Sequence, residues 1–128
     1  MAAVRPGGVV LVVDDDPDIR LMIAQALELE GWSVTGAANG EEALRALREG
    51  TRPVVVLLDI MMPVMNGWQF MDEQRRDPAL ATIPVVLISG DERLPEKASE
   101  AHAAGFLKKP MDLWALLEVV QRHGAHAA

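Results

Sequence analysis

The chain has 128 residues, half of them hydrophobic and 24% charged, with a formal net charge of −7 and no cysteine. That length can bury a core, and the composition is that of an ordinary folded domain rather than a disordered segment. The negative balance, with no Lys/Arg-rich run, argues against a nucleic-acid or anionic-membrane surface; the missing thiols exclude disulfides, a cysteine nucleophile and thiolate metal sites.

Residues 1–8 lack the apolar core of a signal peptide, and the apolar stretches at 54–58 and 84–88 are too short to span a bilayer. These features lead us to expect one cytoplasmic domain over residues 1–128, with a core from about 9 to 123 and a frayed tail at 124–128.

In chain order, residues 9–13 are a β-branched apolar run, the pattern of a strand buried on both faces. Asp16 and Pro17 supply an N-cap and a preferred first helical residue. Ile19, Met22, Ile23, Ala26 and Leu27 follow at helical spacing, and Gly31 is the stop. Residues 32–35 read as a weaker strand. Asn39-Gly40 opens a helix with Ala43, Leu44 and Leu47 on its apolar stripe. Residues 54–58 form a strongly apolar strand that runs into Asp59. A loop holding Pro63 and Asn66-Gly67 leads to a helix through about Arg76. Residues 84–88 are another buried strand, ending at Ser89-Gly90. Residues 95–104 read as a helix and 105–108 as a short fifth strand. Asp112 begins a last helix with Leu113, Leu116, Leu117 and Val120 on one face. Strand and helix alternating five times predict an α/β fold with a doubly wound parallel sheet, and ligands in such sheets sit beyond the carboxyl ends of the strands.

Those ends carry the chemistry. Asp14-Asp15-Asp16 closes the first strand, Asp59 the third and Ser89 the fourth, while the fifth runs into Lys108-Lys109-Pro110. Clustered carboxylates resist ionising beside one another, and a hard divalent cation such as Mg²⁺ removes that conflict. A lysine and a hydroxyl add donors for phosphoryl oxygens, so the set suits phosphoryl transfer. Each residue also has a plainer reading. Asp16 is best explained as a helix cap; Asp14 and Asp15, on spacing alone, also fit loop acids. Ser89 also fits a strand end, and Phe106 taken alone belongs in a core. Asp59 has the poorest structural explanation, because a carboxylate closing a wholly apolar strand has no packing purpose. His102, His123 and His126 lack metal-ligand spacing and read as surface residues, and Trp32, Trp68 and Trp114 as packing or partner contacts.

Residues 9–20 (VVLVVDDDPDIR), 58–67 (LDIMMPVMNG), 85–90 (VVLISG) and 104–110 (AGFLKKP) together resemble the receiver domain of bacterial two-component response regulators, over residues 9 to about 123. The resemblance implies a flavodoxin-like five-stranded sheet in the order 2-1-3-4-5. It implies that Asp59 accepts a phosphoryl group from a histidine kinase or histidine phosphotransfer protein. It gives Asp14, Asp15, Asp59 and the Met61 carbonyl the role of Mg²⁺ ligands. Ser89 and Lys109 would contact the phosphoryl oxygens, with Lys109 joined to Pro110 by a cis peptide, and Ser89 and Phe106 would act as switch residues. The protein would then be a signalling switch that catalyses only its own phosphorylation and dephosphorylation. It would act on a downstream protein as a monomer or weak homodimer. Asn66, Gly90 and Met111 depart from the usual residues of the family without removing a chemical group. A receiver belonging to a longer regulator or hybrid kinase is one alternative. A Mg²⁺-dependent phosphohydrolase and a non-phosphorylated binding module are others. Retention of the acids, the hydroxyl and the lysine argues against the last.

Overall fold

In the computed structural model, which describes residues 8–126, five strands alternate with five helices. The strands are β1 (Val9–Val13), β2 (Ser33–Ala37), β3 (Val55–Asp59), β4 (Val85–Ser89) and β5 (Gly105–Lys108). The helices are α1 (Pro17–Leu29), α2 (Gly40–Arg48), α3 (Gly67–Arg76), α4 (Leu94–Glu100) and α5 (Leu113–His126). Every strand pair is parallel, in the order β2-β1-β3-β4-β5. The expected doubly wound, flavodoxin-like sheet is therefore the one observed.

The sheet divides the core into two by the alternation of side chains along each strand. Leu11, Val13, Val56, Leu58, Val85 and Leu87 face a cluster completed by Phe70, Leu44 and Leu94 from α3, α2 and α4. Val10, Val12, Val55, Leu57, Val86 and Ile88 face the other, completed by Ile23, Leu27, Leu116 and Val120 from α1 and α5. Burial on both faces is why the central strands read as unbroken apolar runs.

The helix starts follow their caps. Asp16 accepts from the N–H groups of Asp18 and Ile19, and Asn39 accepts from Glu42. Asn66 and Gln69 form a reciprocal capping box on α3.

Several boundaries differ from expectation: β3 and β4 each lie one residue later than the apolar runs 54–58 and 84–88, so Asp59 and Ser89 are their last residues. The weak second strand begins at Ser33 because Trp32 is committed to packing, 5% exposed, with Gly124 so close that a Cβ there would meet its ring at 2.1 Å. Gly124 is accordingly buried inside α5 rather than part of a frayed tail; residues 127–128 lie outside the described ones. The fourth helix, expected over 95–104, ends at Glu100: Ala101 caps it and His102 leaves the helix at φ 57°.

Candidate functional site

Register alone gathers the polar residues. β1 and β3 are neighbours with Val13 opposite Leu58, which sets Asp14 and Asp59, each one residue further on, side by side at the carboxyl edge. β4 lies beside β3 and β5 beside β4, with Ser89 opposite Lys108.

Asp14 and Asp59 are 2% and 4% exposed, while Asp15 is exposed. One oxygen from each of the three carboxylates lies within 4.8 Å of the others. Asp14 Oδ1 accepts from the Asp16 N–H at 2.9 Å, but its buried Oδ2 has no hydrogen-bond partner among the described residues. Asp59 Oδ1 accepts from the Met61 N–H at 3.3 Å. Lys109 places its Nζ 3.5 Å from Asp59 Oδ2 and 4.0 Å from Asp14 Oδ2, so one ammonium stands between two carboxylates. The Lys109–Pro110 peptide is cis, and Lys108 is exposed.

Burial raises both carboxyls above the usual carboxylate range. For Asp59 the Lys109 ammonium is the main opposing influence. For Asp14 the Asp16 N–H opposes the rise, while the neighbouring Asp59 charge adds to it. One ammonium cannot balance three carboxylates, and buried charge is costly until it is paired. An oxygen-only donor set with an orphaned buried oxygen fits a hard divalent cation, which Asp14, Asp15 and Asp59 could hold.

The surrounding chain is fixed around this cluster. Gly67 sits so close beneath it that a Cβ would meet Ile60 Cα at 2.8 Å and the Asp59 carbonyl at 3.1 Å, and its N–H donates to the Ile60 carbonyl. Between Asp59 and α3 the Met65 N–H donates to the Pro63 carbonyl at 2.7 Å around Val64, whose φ is 68°, a tight three-residue turn rarely made with a β-branched residue. The Gly40 N–H donates to the Met65 carbonyl and ties this loop to α2.

Ser89 is buried, and its Oγ accepts from the Asp91 N–H at 3.1 Å. Asp91 in turn binds Lys97 Nζ at 2.6 Å, which holds its carboxyl below the usual range. A cavity of about 400 Å³ opens beside these groups, between Ile60, Met61, Trp68, Ser89 and Lys97. Phe106 lies opposite Leu87 on the edge strand and is 41% exposed, not in the core that its composition suggested. Met61 is exposed, at 75%.

Two contacts were not foreseen. Arg20 Nη1 donates to the Asp14 carbonyl at 2.6 Å and braces the turn after β1; its place one helical turn beyond the Asp16 cap was the available signal. The Asp91–Lys97 pair spans six residues at no helical multiple, so no sequence pattern marks it.

The family model described as the response regulator receiver domain matches residues 10–121. The chain is 33% identical over 113 residues to Protein PilH of Pseudomonas aeruginosa, covering 87% of this chain and 93% of that protein. It is 36% identical over 124 residues to the transcriptional regulatory protein PrrA of Mycobacterium leprae, covering 92% of this chain but only 52% of PrrA. The chain spans about half the length of several curated relatives it matches. In three dimensions it is similar to the chemotaxis response regulator CheY4 of Vibrio cholerae, with a TM-score of 0.81 at 32% identity, covering 91% of this chain and 98% of that one. Among the described residues, no helix is long and apolar enough to cross a membrane.

Proposed function

The chain belongs to the response regulator receiver family of two-component systems, a family of signalling modules, and from that premise we propose that Asp59 is its phosphoryl acceptor. The observation that carries this reading is the Lys109 ammonium shared between Asp59 and Asp14, whose buried Oδ2 accepts no hydrogen bond among the described residues.

Asp59 Oδ attacks the phosphorus of a phosphohistidine on a histidine kinase or phosphotransfer protein. An O–P bond forms as the P–N bond breaks, and the leaving imidazole takes up a proton. Asp14, Asp15 and Asp59, with the Met61 carbonyl, would hold Mg²⁺, which when bound supplies the positive charge that the three carboxylates and the phosphoryl oxygens require. Lys109 pairs with an incoming phosphoryl oxygen, and the Ser89 hydroxyl donates to another. Burial keeps bulk water from the acceptor, so the acyl phosphate is lost only to water admitted at the site. The added charge then biases the Ser89–Asp91 loop and the half-exposed Phe106, and through them the face of α4, β5 and α5 that a downstream protein would read. The site of action is the cytoplasm, with the chain monomeric or weakly dimeric and with no nucleic acid or membrane as partner.

Intact-mass measurement after incubation with acetyl phosphate tests this. The expectation is one phosphoryl adduct that needs Mg²⁺, survives acid, is lost in base and is absent in Asp59→Asn. Equal labelling of that variant contradicts the assignment. Release of inorganic phosphate from a free phosphate ester without an adduct points instead to a phosphohydrolase.

A further inference from the structure

The opposite end of the sheet holds a second cavity, of about 510 Å³, between the last turn of α3, the α3–β4 connection, the start of β4, the α4–β5 connection and the end of α5. That volume is in the range of small-molecule sites. Met71, Ile83 and Val85 line it with apolar surface, and Arg75, Thr82, His102 and His123 line it with polar groups. None of these belongs to the Asp59 cluster.

Three observations distinguish it from an ordinary surface groove. The first is charge. The chain carries 19 acidic residues against 12 basic ones, yet no acid among the described residues lines this cavity, whereas the grooves at Asp72, Glu73 and Arg76 and at Asp91 and Lys97 mix both signs. Arg75 makes no ion pair among the described residues, while its neighbour Arg76 binds Glu73 at 3.2 Å. An unpaired guanidinium beside apolar wall is complementary to an anion with an apolar body. The second is the frame. Gln74, 2% exposed, donates from Nε2 to the Leu80 carbonyl at 2.7 Å and the Ile83 carbonyl at 3.1 Å, so the α3–β4 connection is held in place rather than free to collapse inward. The third is His102. It follows the Ala101 cap of α4 in the left-handed region, φ 57°, where glycine is the usual residue because any Cβ is strained. A residue that only ended the helix would be better as glycine; here the strained position carries an imidazole that lines the cavity.

We propose that this cavity binds a small organic monoanion, a carboxylate on a short apolar body. Arg75 pairs with the carboxylate, His102 donates to it, and Met71, Ile83 and Val85 receive the apolar part. The cavity opens at the start of β4, the strand that ends in Ser89, so the protein has a ligand input separate from Asp59.

NMR titration of the full chain with benzoate tests this, with benzamide as the uncharged match in shape. The expected result is saturable shifts centred on the amides of Ile83, Val85 and Ala104, with those of Asp14 and Met61 unmoved. Arg75→Met weakens benzoate binding by about tenfold or more, the loss of one charge-assisted pair, and benzamide binds wild-type protein weaker by a similar factor. His102→Gly separates ligand from fold: its melting temperature is unchanged or higher, because glycine relieves the left-handed strain, while benzoate binding weakens about threefold or more. Shifts that do not saturate, equal affinity for benzamide, or wild-type affinity in Arg75→Met overturns the proposal. A His102→Gly variant that binds as tightly as wild type removes His102 from the site.

Discussion

Asp14 and Asp59, at the ends of β1 and β3, are buried and held above the usual carboxylate range, whereas Asp91, in the connection from β4 to α4, is held below it by the Lys97 ammonium 2.6 Å away. The residue type is the same and both regions border the carboxyl edge of one sheet. They differ in compensation. Asp91 has its own cation, and its Oδ1 accepts from the Arg93 N–H. The cluster at Asp14, Asp15 and Asp59 has one ammonium, shared between the two buried carboxylates, and a buried Asp14 oxygen with no hydrogen bond among the described residues. The paired carboxylate is compensated within the loop, while the cluster is under-compensated, the condition in which a carboxyl rises and a cation could be held.

Removing the shared ammonium breaks this contrast most severely. Lys109→Met is expected to slow phosphoryl transfer to Asp59 by about 10²–10³-fold, the usual loss for one preorganised donor at a site of developing charge. The check is the growth of the phosphoryl adduct with time by mass spectrometry. A wild-type rate in the variant assigns Lys109 to structure alone.

Asp14→Asn should next reveal the stored cost. The raised carboxyl of Asp14 favours the protonated form in the folded state. Its stability contribution is therefore fully present below the unfolded pKa of about 3.9 and is lost as pH rises through the higher folded value. Without divalent cation at neutral pH, the variant is expected to be more stable than wild type by roughly 1–3 kcal/mol, or several degrees in Tm. Its stability should also fall less as pH rises from the acid range. Adding Mg²⁺ should raise Tm in wild type much more than in Asp14→Asn. Parallel melting curves for the two proteins across pH, without Mg²⁺, would show that the buried oxygen carries no penalty.

Lys97→Met should have the smallest effect. Both side chains of the Asp91–Lys97 pair are more than a third exposed, so solvent and salt screen it. The expected change in Tm is smaller than for Asp14→Asn, of opposite sign, and lost at high salt. A change as large as that of Asp14→Asn would erase the distinction between the two regions.

Much of this was legible because the same physics wrote it into local patterns. The three central strands are buried on both faces and so read as continuous apolar runs, and Asp59 stood out as the charge that ended one of them. Asp16 announced its helix through capping chemistry and Asn39-Gly40 marked the next entry, while Asn66, read as a turn residue, proved to cap α3. What stayed hidden depends on neighbours distant in sequence. Phe106 is apolar but sits on the edge strand, so composition assigned it to a core that does not cover it. His123, read as a surface residue, is half-buried, and Gly124, read as part of a loose tail, is fixed by Trp32. The early end of α4 at His102 had no glycine to signal it. The second cavity takes residues from α3, two connections and α5, and no spacing joins them.

Whether the carboxylate of Asp59 forms the acyl phosphate is decided by trapping the adduct where it forms. Borohydride reduction of protein labelled with acetyl phosphate converts an aspartyl phosphate to homoserine, and peptide sequencing by tandem mass spectrometry locates it. Homoserine is expected at the position of Asp59, dependent on Mg²⁺ during labelling, with Asp14 and Asp15 unchanged. Reduction at Asp14 or Asp15 instead, or none at a protein that carries the phosphoryl mass, would contradict it.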